Sequence, residues 1–336
     1  MRSIFLILAS FILWTNFDAI AQKKFEKYDN GNTKYKGKFK KGMKVGTHIS
    51  WYENGIKHSE ENFDKKTGIK SGYEAKWLED GSMIFEGTFH SDTIKNGSFK
   101  EWYTNGKQKF EGVYKMNLLN GKHIYWYDNG NKNSEVIYKD GIKDGKCLYY
   151  WENGNKKLEI DYNNEIIDGK YTSFFENGNP EFLESFKAGI PNGEWAIYFE
   201  NGQKKTEETY QDGVKNGGFI SWYENGQMES KGELKAGLEN GEWTTWHENG
   251  QEESKGVYID NQADGIWMTY FEDGQIASEG MYIMDDKTGE WKWYHKNGQL
   301  RQSGNFTAGK KDGIFKRYSD LGEETQTASY KNGHKL

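Results

Sequence analysis

Seven histidines, a single cysteine and a recurring acidic residue are the side chains of this 336-residue sequence that could carry proton transfer, thiol or metal chemistry. Their spacing argues against all three. His48 and His123 occupy the place that Trp243 holds in a repeating pattern, and His247 and His295 the place of Tyr52, so imidazole stands in for an aromatic ring at scattered positions. Cys147 shares the Trp243 column and reads as a small buried apolar residue rather than a reactive thiol. Glu53, Glu79, Asp128, Glu152, Glu176, Glu200, Glu224, Glu248 and Glu272 would line one edge. With a strand between neighbours they would stand ~10 Å apart, too far for two to ligate one calcium ion, and they read as a solvated edge with a diffuse attraction for cations. No G-x-S-x-G, H-E-x-x-H, phosphate-binding glycine loop or cysteine pair occurs. The expectation is no catalytic residue, no metal site, no cofactor and no enzyme.

What positions these side chains is a repeat. Turn glycines at Gly31, Gly55, Gly81 and Gly106 are followed at intervals of 24 by Gly130 and its successors to Gly322, thirteen in all. Asn or Asp precedes twelve of them, Leu321 being the exception. Asn-Gly and Asp-Gly, as in Asn54-Gly55 and Asn249-Gly250, supply two positive-φ positions, so the expected connection is a type I′ hairpin turn. A second glycine lies nine residues earlier, from Gly46 to Gly313. Five residues after it comes an aromatic column, with Trp51, Trp77, Trp102, Trp126, Trp222, Trp246, Tyr270 and Tyr294 as the expected structural core. A further aromatic column, Phe39 to Tyr330, lies eight residues after the turn glycine and is broken only by Leu234.

The longer intervals place extra residues in Lys65 to Ser71 and Ser91 to Lys95, between hairpins and never within them, which identifies the hairpin as the unit. These two insert loops and the end units are the expected places for specific contacts. Counting back from the turn sets Trp243 opposite Gly256 and Trp267 opposite Gly280, with a ring covering bare strand backbone. Trp246 would then face away from Trp243: either both faces carry rings or a bulge realigns the strand. The fold class is all-β, an elongated solenoid of antiparallel hairpins of 24 residues, on the order of 120 Å long, from about Phe25 to the polar end Glu323 to Leu336.

Composition agrees. Aromatics reach 16%, with 41 Gly and 2 Pro, so a core must be made of rings, which favours burial of most rings over their use as a polysaccharide platform. The net charge of -6 is spread through 45 basic and 51 acidic residues, which leaves no electropositive surface for nucleic acid. Arg2, the apolar run Ile4 to Trp14 and Ala19-Ile20-Ala21 read as a signal peptide over residues 1–21, cleaved after Ala21. The apolar run is short for a membrane span, so the expected destination is the periplasm or the exterior, with residues 22–336 forming the repeat array.

The stretches "GEWTTWHENGQEESKGVY" and "DGIWMTYFEDGQIASEGMY" resemble the bacterial variant of the MORN repeat, the family that includes antitoxin-like proteins, and the resemblance covers residues 23–336. Glu74 and Cys147 in place of a ring, and Leu321 in place of the turn Asn, are the departures. The resemblance implies a hairpin scaffold or binding surface with no chemistry to transfer. The expected function is an exported scaffold that binds a protein along an extended surface. The alternatives are a cell-wall glycan module using the aromatic rows and, by analogy of fold alone, an antitoxin-like neutraliser. The acidic balance disfavours lipid headgroups.

Overall fold

The structure, a computed structural model, describes residues 20–336. The expected signal peptide lies outside the described residues except for Ile20 and Ala21. Among the described residues there are 29 strands and no helix. They form two compact units, one ending at Gly130 and one running from Asn131 to Leu336, and within each all pairing is antiparallel.

The strands Leu238–Trp246, Glu252–Ile259, Gln262–Tyr270 and Ile276–Ile283 show how the sequence makes a unit. At the Asn-Gly tip, Gly250 N–H donates to the His247 carbonyl at 2.8 Å and His247 N–H to the Gln251 carbonyl at 2.8 Å. The central residues of the turn are therefore Glu248 and Asn249. Only Gly250, at φ 86°, is left-handed. This is a three-residue connection, a turn closed by a glycine bulge, and it corrects the expected type I′ turn at Asn249-Gly250 and, likewise, at Asn54-Gly55. One positive-φ residue is enough here, and it leaves the Asn side chain free to bond. Asn249 Oδ1 accepts the Gln251 N–H at 2.9 Å, while its Nδ2 donates at 2.8 Å to the Glu272 carbonyl of the next tip. Asn54 does the same toward Ile56 and Glu79.

The type I′ turns lie at the opposite edge, where the sequence announces only some of them: Asp140-Gly141, Asp212-Gly213 and Asn332-Gly333 carry the expected dipeptide with both residues left-handed, and elsewhere other residues stand in. Lys235 pairs with Leu238 across Ala236 (φ 51°) and Gly237 (φ 83°). Met116-Asn117 and Met284-Asp285 adopt the same conformation without any glycine. The second residue of such turns donates its N–H to a carbonyl 22 residues earlier, as Gly237 does to Lys215 at 2.8 Å and Asp285 to Ala263 at 2.8 Å. Within each compact unit, neighbouring hairpins such as these are thus stapled by the backbone at one edge and by an Asn side chain at the other, whereas the Asp80 and Asp273 tips accept without donating.

The expected register holds: Trp243 pairs with Gly256 and Trp267 with Gly280. The ring that covers a glycine, however, comes from the other side. Between the strand Met228–Lys235 and Leu238–Trp246, Lys231 pairs with Thr244 and Glu233 with Asn240. Three residues, Gly241 to Trp243, therefore face the single Gly232, and the arch carries the Trp243 indole over it; Trp267 covers Gly256 in the same way. The five largest side chains that are fully buried, Phe99, His48, His123, Glu74 and Cys147, all belong to this column. Its rings interlock edge-to-face with the second aromatic column, as in Phe99 with Phe89 (5.2 Å) and Tyr114 (5.1 Å), and Trp267 with Tyr258 (4.9 Å). Such pairs contribute about 0.5–1.5 kcal/mol each beyond the area they bury.

Of the two expected insert loops, only the first is one. Asp64 Oδ1 accepts the N–H of Lys66 and of Thr67 and closes a turn ahead of the strand Lys70–Trp77. Ser91 to Lys95 is strand apart from a tight turn, since Ser91 pairs with Ile94 and the extra residue is absorbed as an irregularity in register.

Candidate functional site

The residues that first suggested chemistry are used as structure. His48 and His123 are buried in the ring column, where desolvation disfavours the imidazolium and lowers both pKa values. His48 Nε2 bonds the Lys38 carbonyl at 2.9 Å and its Nδ1 meets the Tyr35 hydroxyl; His123 Nε2 bonds the Val113 carbonyl at 2.7 Å. His247 and His295 each bond the carbonyl of an aromatic residue in the next unit, Tyr270 and Tyr318, at 3.0 Å. Tyr52 and Tyr223 use their hydroxyls to make that same bond to Trp77 and Trp246. Burial pushes the Cys147 thiol pKa up, away from the reactive thiolate.

Trp51, Trp77, Trp102, Trp126, Trp222, Trp246, Tyr270 and Tyr294 are half-buried; the most deeply buried side chains, His48, Glu74, Phe99 and His123 among them, lie three residues earlier, although Phe219 and Trp267 in that column are themselves half-buried. A register shift separates Thr245 from Trp246, yet alternation along the strand persists, so both faces carry rings. The outer rings pack among Lys and Glu: Lys57 Nζ stands 4.8 Å over Trp77 and bonds Glu60 at 2.9 Å. Tyr294 donates to Glu279 at 2.7 Å, and burial together with that bond pushes its phenol pKa up to about 12. Among the described residues, no three His, Cys, Asp or Glu side chains gather where they could hold a metal ion.

Two features escaped the sequence reading although each left a periodic signal. The first is an aliphatic stripe along the type I′ edge of the second unit. Ile166, Ile190, Val214 and Leu238 each follow such a turn, at intervals of 24, and are 51%, 50%, 46% and 37% exposed. Gln262, Asp286 and Lys310 take the place in later units. The second is a cavity of about 820 Å³ in the same unit, opened where Leu234 interrupts the second ring column and lined by Phe219, Leu234, Glu239, Trp243, Tyr258 and Trp267 among others. Ser221 with Ser230 (2.8 Å) and Thr245 with Ser254 (2.8 Å) form hydroxyl pairs in its wall.

Hairpins of 24 residues, stapled at both edges and interlocked by rings, define a β-hairpin repeat scaffold. The family model of the MORN repeat variant matches ten stretches, residues 44–65, 95–116, 119–140, 143–164, 167–188, 191–212, 215–236, 239–260, 263–284 and 287–308. The chain belongs to the MORN repeat variant family. None of the curated proteins matches it significantly. Solved structures similar to it include the complex of TcdB2 and TccC3 with Cdc42, at 10% identity and a TM-score of 0.16, where 94% of this chain covers 22% of that one. The Tc holotoxin pore of Photorhabdus luminescens is similar at 11% identity and a TM-score of 0.19, with 92% of this chain covering 17% of that one. The chain thus spans about a fifth of the length of these proteins, and no function is carried over from them.

Proposed function

We propose that this chain is an exported, non-enzymatic scaffold that binds a protein along the type I′ edge of its second unit. The observation that carries the reading is the aliphatic stripe Ile166–Ile190–Val214–Leu238. This row of β-branched and Leu side chains, spaced ~10 Å apart by intervening strands, leaves between 37% and 51% of each residue in solvent even where Ile166 and Ile190 lie against the next turn, and fits an apolar protein surface. Sugar rings are recognised chiefly by flat aromatic faces, and the fully buried rings here are committed to each other, which favours protein over glycan. Export is supported by Arg2, the run Ile4 to Trp14 and Ala19-Ile20-Ala21.

The test is capture from cell-envelope extracts on immobilised residues 22–336, comparing the natural chain with a double variant, Ile190→Lys with Val214→Lys. A protein recovered by the natural chain and lost by the variant, with far-UV circular dichroism unchanged, is the expected result. Recovery that is indifferent to the stripe, or that disappears when the extract is treated with a glycan hydrolase, overturns the reading.

A further inference from the structure

Along the inner ring face, the residue two before each glycine of the Gly46 to Gly313 series is a lysine in seven of twelve places, and in six of them its ammonium stands over the ring paired with that glycine. Lys44 lies 4.9 Å from the Phe63 centroid, Lys70 4.9 Å from Phe89, Lys95 4.6 Å from Tyr114 and Lys143 5.1 Å from Tyr162. Lys287 and Lys311 lie 5.7 Å and 5.0 Å from Phe306 and Tyr330. A cation over a π face is attracted by the ring quadrupole, so the chain caps its own rings unit after unit.

At one place the sign is reversed. The residue at this position ahead of Gly241 is Glu239, and Gly241 pairs with Tyr258; one unit further it is Ala263, and Gly265 pairs with Tyr282. Leu119, Ile167 and Pro191 also replace the lysine, but with apolar groups. Lys215, the lysine of the preceding unit, has Leu234 where its ring would be; it turns instead to Tyr210 (5.9 Å) and pairs with Glu208 at 2.7 Å. Among the described residues no ammonium stands over Trp243, Tyr258, Trp267 or Tyr282, and the Glu239 carboxylate has no ion pair or side-chain hydrogen bond.

The same substitutions open the space. Leu234, directly opposite Glu239 in register, leaves the cavity of about 820 Å³ whose wall holds Glu239, Trp243, Tyr258 and Trp267, together with Glu229, Glu253 and one cation, Lys215, which Glu208 neutralises at 2.7 Å. Trp267 and Trp291 donate their indole N–H to the carbonyls of Val257 (3.2 Å) and Met281 (3.1 Å). Trp243 lies stacked on Phe219 instead, and its N–H has no partner although the residue is only 7% exposed. Burial raises the Glu239 pKa, as befits a carboxylate without a countercharge.

We propose that this cavity is a binding site for an organic cation, an alkylammonium or guanidinium group that takes the place over Tyr258 held elsewhere by a lysine of the chain, with Glu239 as its counter-ion. The site does not depend on the aliphatic stripe, and its failure would leave the scaffold reading intact.

The test is titration of the full chain from residue 22, followed by calorimetry and Trp fluorescence, with N-acetyl-lysine methylamide and N-acetyl-arginine methylamide. N-acetyl-norleucine methylamide and a methyl glucoside serve as uncharged controls. Binding of the cations at least about tenfold tighter than of either control is expected. Glu239→Lys, which installs the residue most units already carry, should abolish it with an unchanged melting curve, and Glu239→Gln should weaken it about tenfold by removing the charge alone. Lysine tripeptides that bind more tightly than the single amide would point to a partner's side chain as the source, and equal affinities to a free amine; both support the site. Equal binding of the glucoside or the norleucine amide, full binding by Glu239→Gln, or no binding by the natural chain overturns it.

Discussion

The indole of Trp267 fills the space that a Cβ on Gly256 would occupy, although the two residues lie on neighbouring strands and are not paired in register. This contact, repeated by Trp243 over Gly232 and Trp291 over Gly280, binds each unit to the one before it. It is also why a glycine stands in the middle of a strand, where the lack of a side chain is otherwise a cost.

Gly256→Ala should therefore destabilise the chain by about 1–3 kcal/mol, since the methyl group can enter only by displacing a half-buried indole. Gly218 is the control: it is exposed, its φ is not left-handed and a Cβ there meets nothing within 4 Å. Gly218→Ala should leave stability unchanged or raise it by up to about 1 kcal/mol. Urea melts of the two variants, read by Trp fluorescence, check the pair; equal effects would show that the ring does not rest on Gly256.

The Asn strap makes a separate prediction. Asn249→Asp keeps the oxygen that accepts the Gln251 N–H but loses the donor to the Glu272 carbonyl, and should cost about 0.5–1.5 kcal/mol. Asp273 sits at the equivalent tip position, accepts from Gln275 in the same way and has no donor to pass on. Asp273→Asn should accordingly stabilise by a comparable amount. Thermal melts that show no opposite shift would remove the strap as a source of stability.

Glu74 is the one carboxylate in the buried column, held by Lys70 at 2.8 Å and Lys76 at 3.1 Å. Burial raises its pKa, but the two ammonium groups outweigh burial and the net shift is downward. Glu74→Gln should destabilise by about 1–3 kcal/mol, less than for a wholly enclosed pair because Lys76 is half exposed. Glu74→Phe restores the ring that Phe99 supplies in the next unit and leaves Lys70 over Phe89, so it should be within about 1 kcal/mol of the natural chain or more stable. Chemical denaturation of both variants distinguishes an electrostatic from a steric role.

The buried His123 predicts a pH dependence. Its folded-state pKa is lowered, so below the unfolded value of about 6.5 the unfolded chain binds the proton first. The stability that neutral His123 contributes is complete above that pH and is lost as the pH falls toward the lower folded value, by at most about 1.4 kcal/mol per pH unit. His123→Phe should flatten this part of the profile. Melting temperatures of the two chains between pH 7 and pH 5 should diverge on acidification, and parallel curves would exclude His123 as the titrating group.

Much of this was legible before the structure because side chains on a strand alternate with a period of two, so a regular column of rings already names the face it shares. The columns of Trp243 and Tyr258, the pairing of Trp243 with Gly256 and the ring-like use of His247 could be read that way. The type I′ edge could be read only where Asp140-Gly141, Asp212-Gly213 and Asn332-Gly333 mark it, because elsewhere Ala236, Met116 and Met284 occupy left-handed positions that steric preference would give to Gly or Asn. The stapled neighbours hold them there. The aliphatic stripe and the lysine column were present as 24-residue periods, but hydrophobic or basic residues next to unrecognised turns carry no orientation.

Sequence alone determined that the chain is a β-hairpin repeat, how long the repeat is, and which residues oppose each other across each Asn-Gly tip. These follow from turn chemistry and from a pattern repeated too often to admit another period. Only the tertiary structure decided that the tips close with a single left-handed glycine, that rings such as Trp243 and Trp267 lean back over the preceding strand, and that Leu234 and Glu239 open a gap in a column where lysines cap several of the rings. Register fixes a residue's opposite number, whereas the bulge at each Gly241-type position decides which neighbour its side chain reaches, and that depends on two strands packing together.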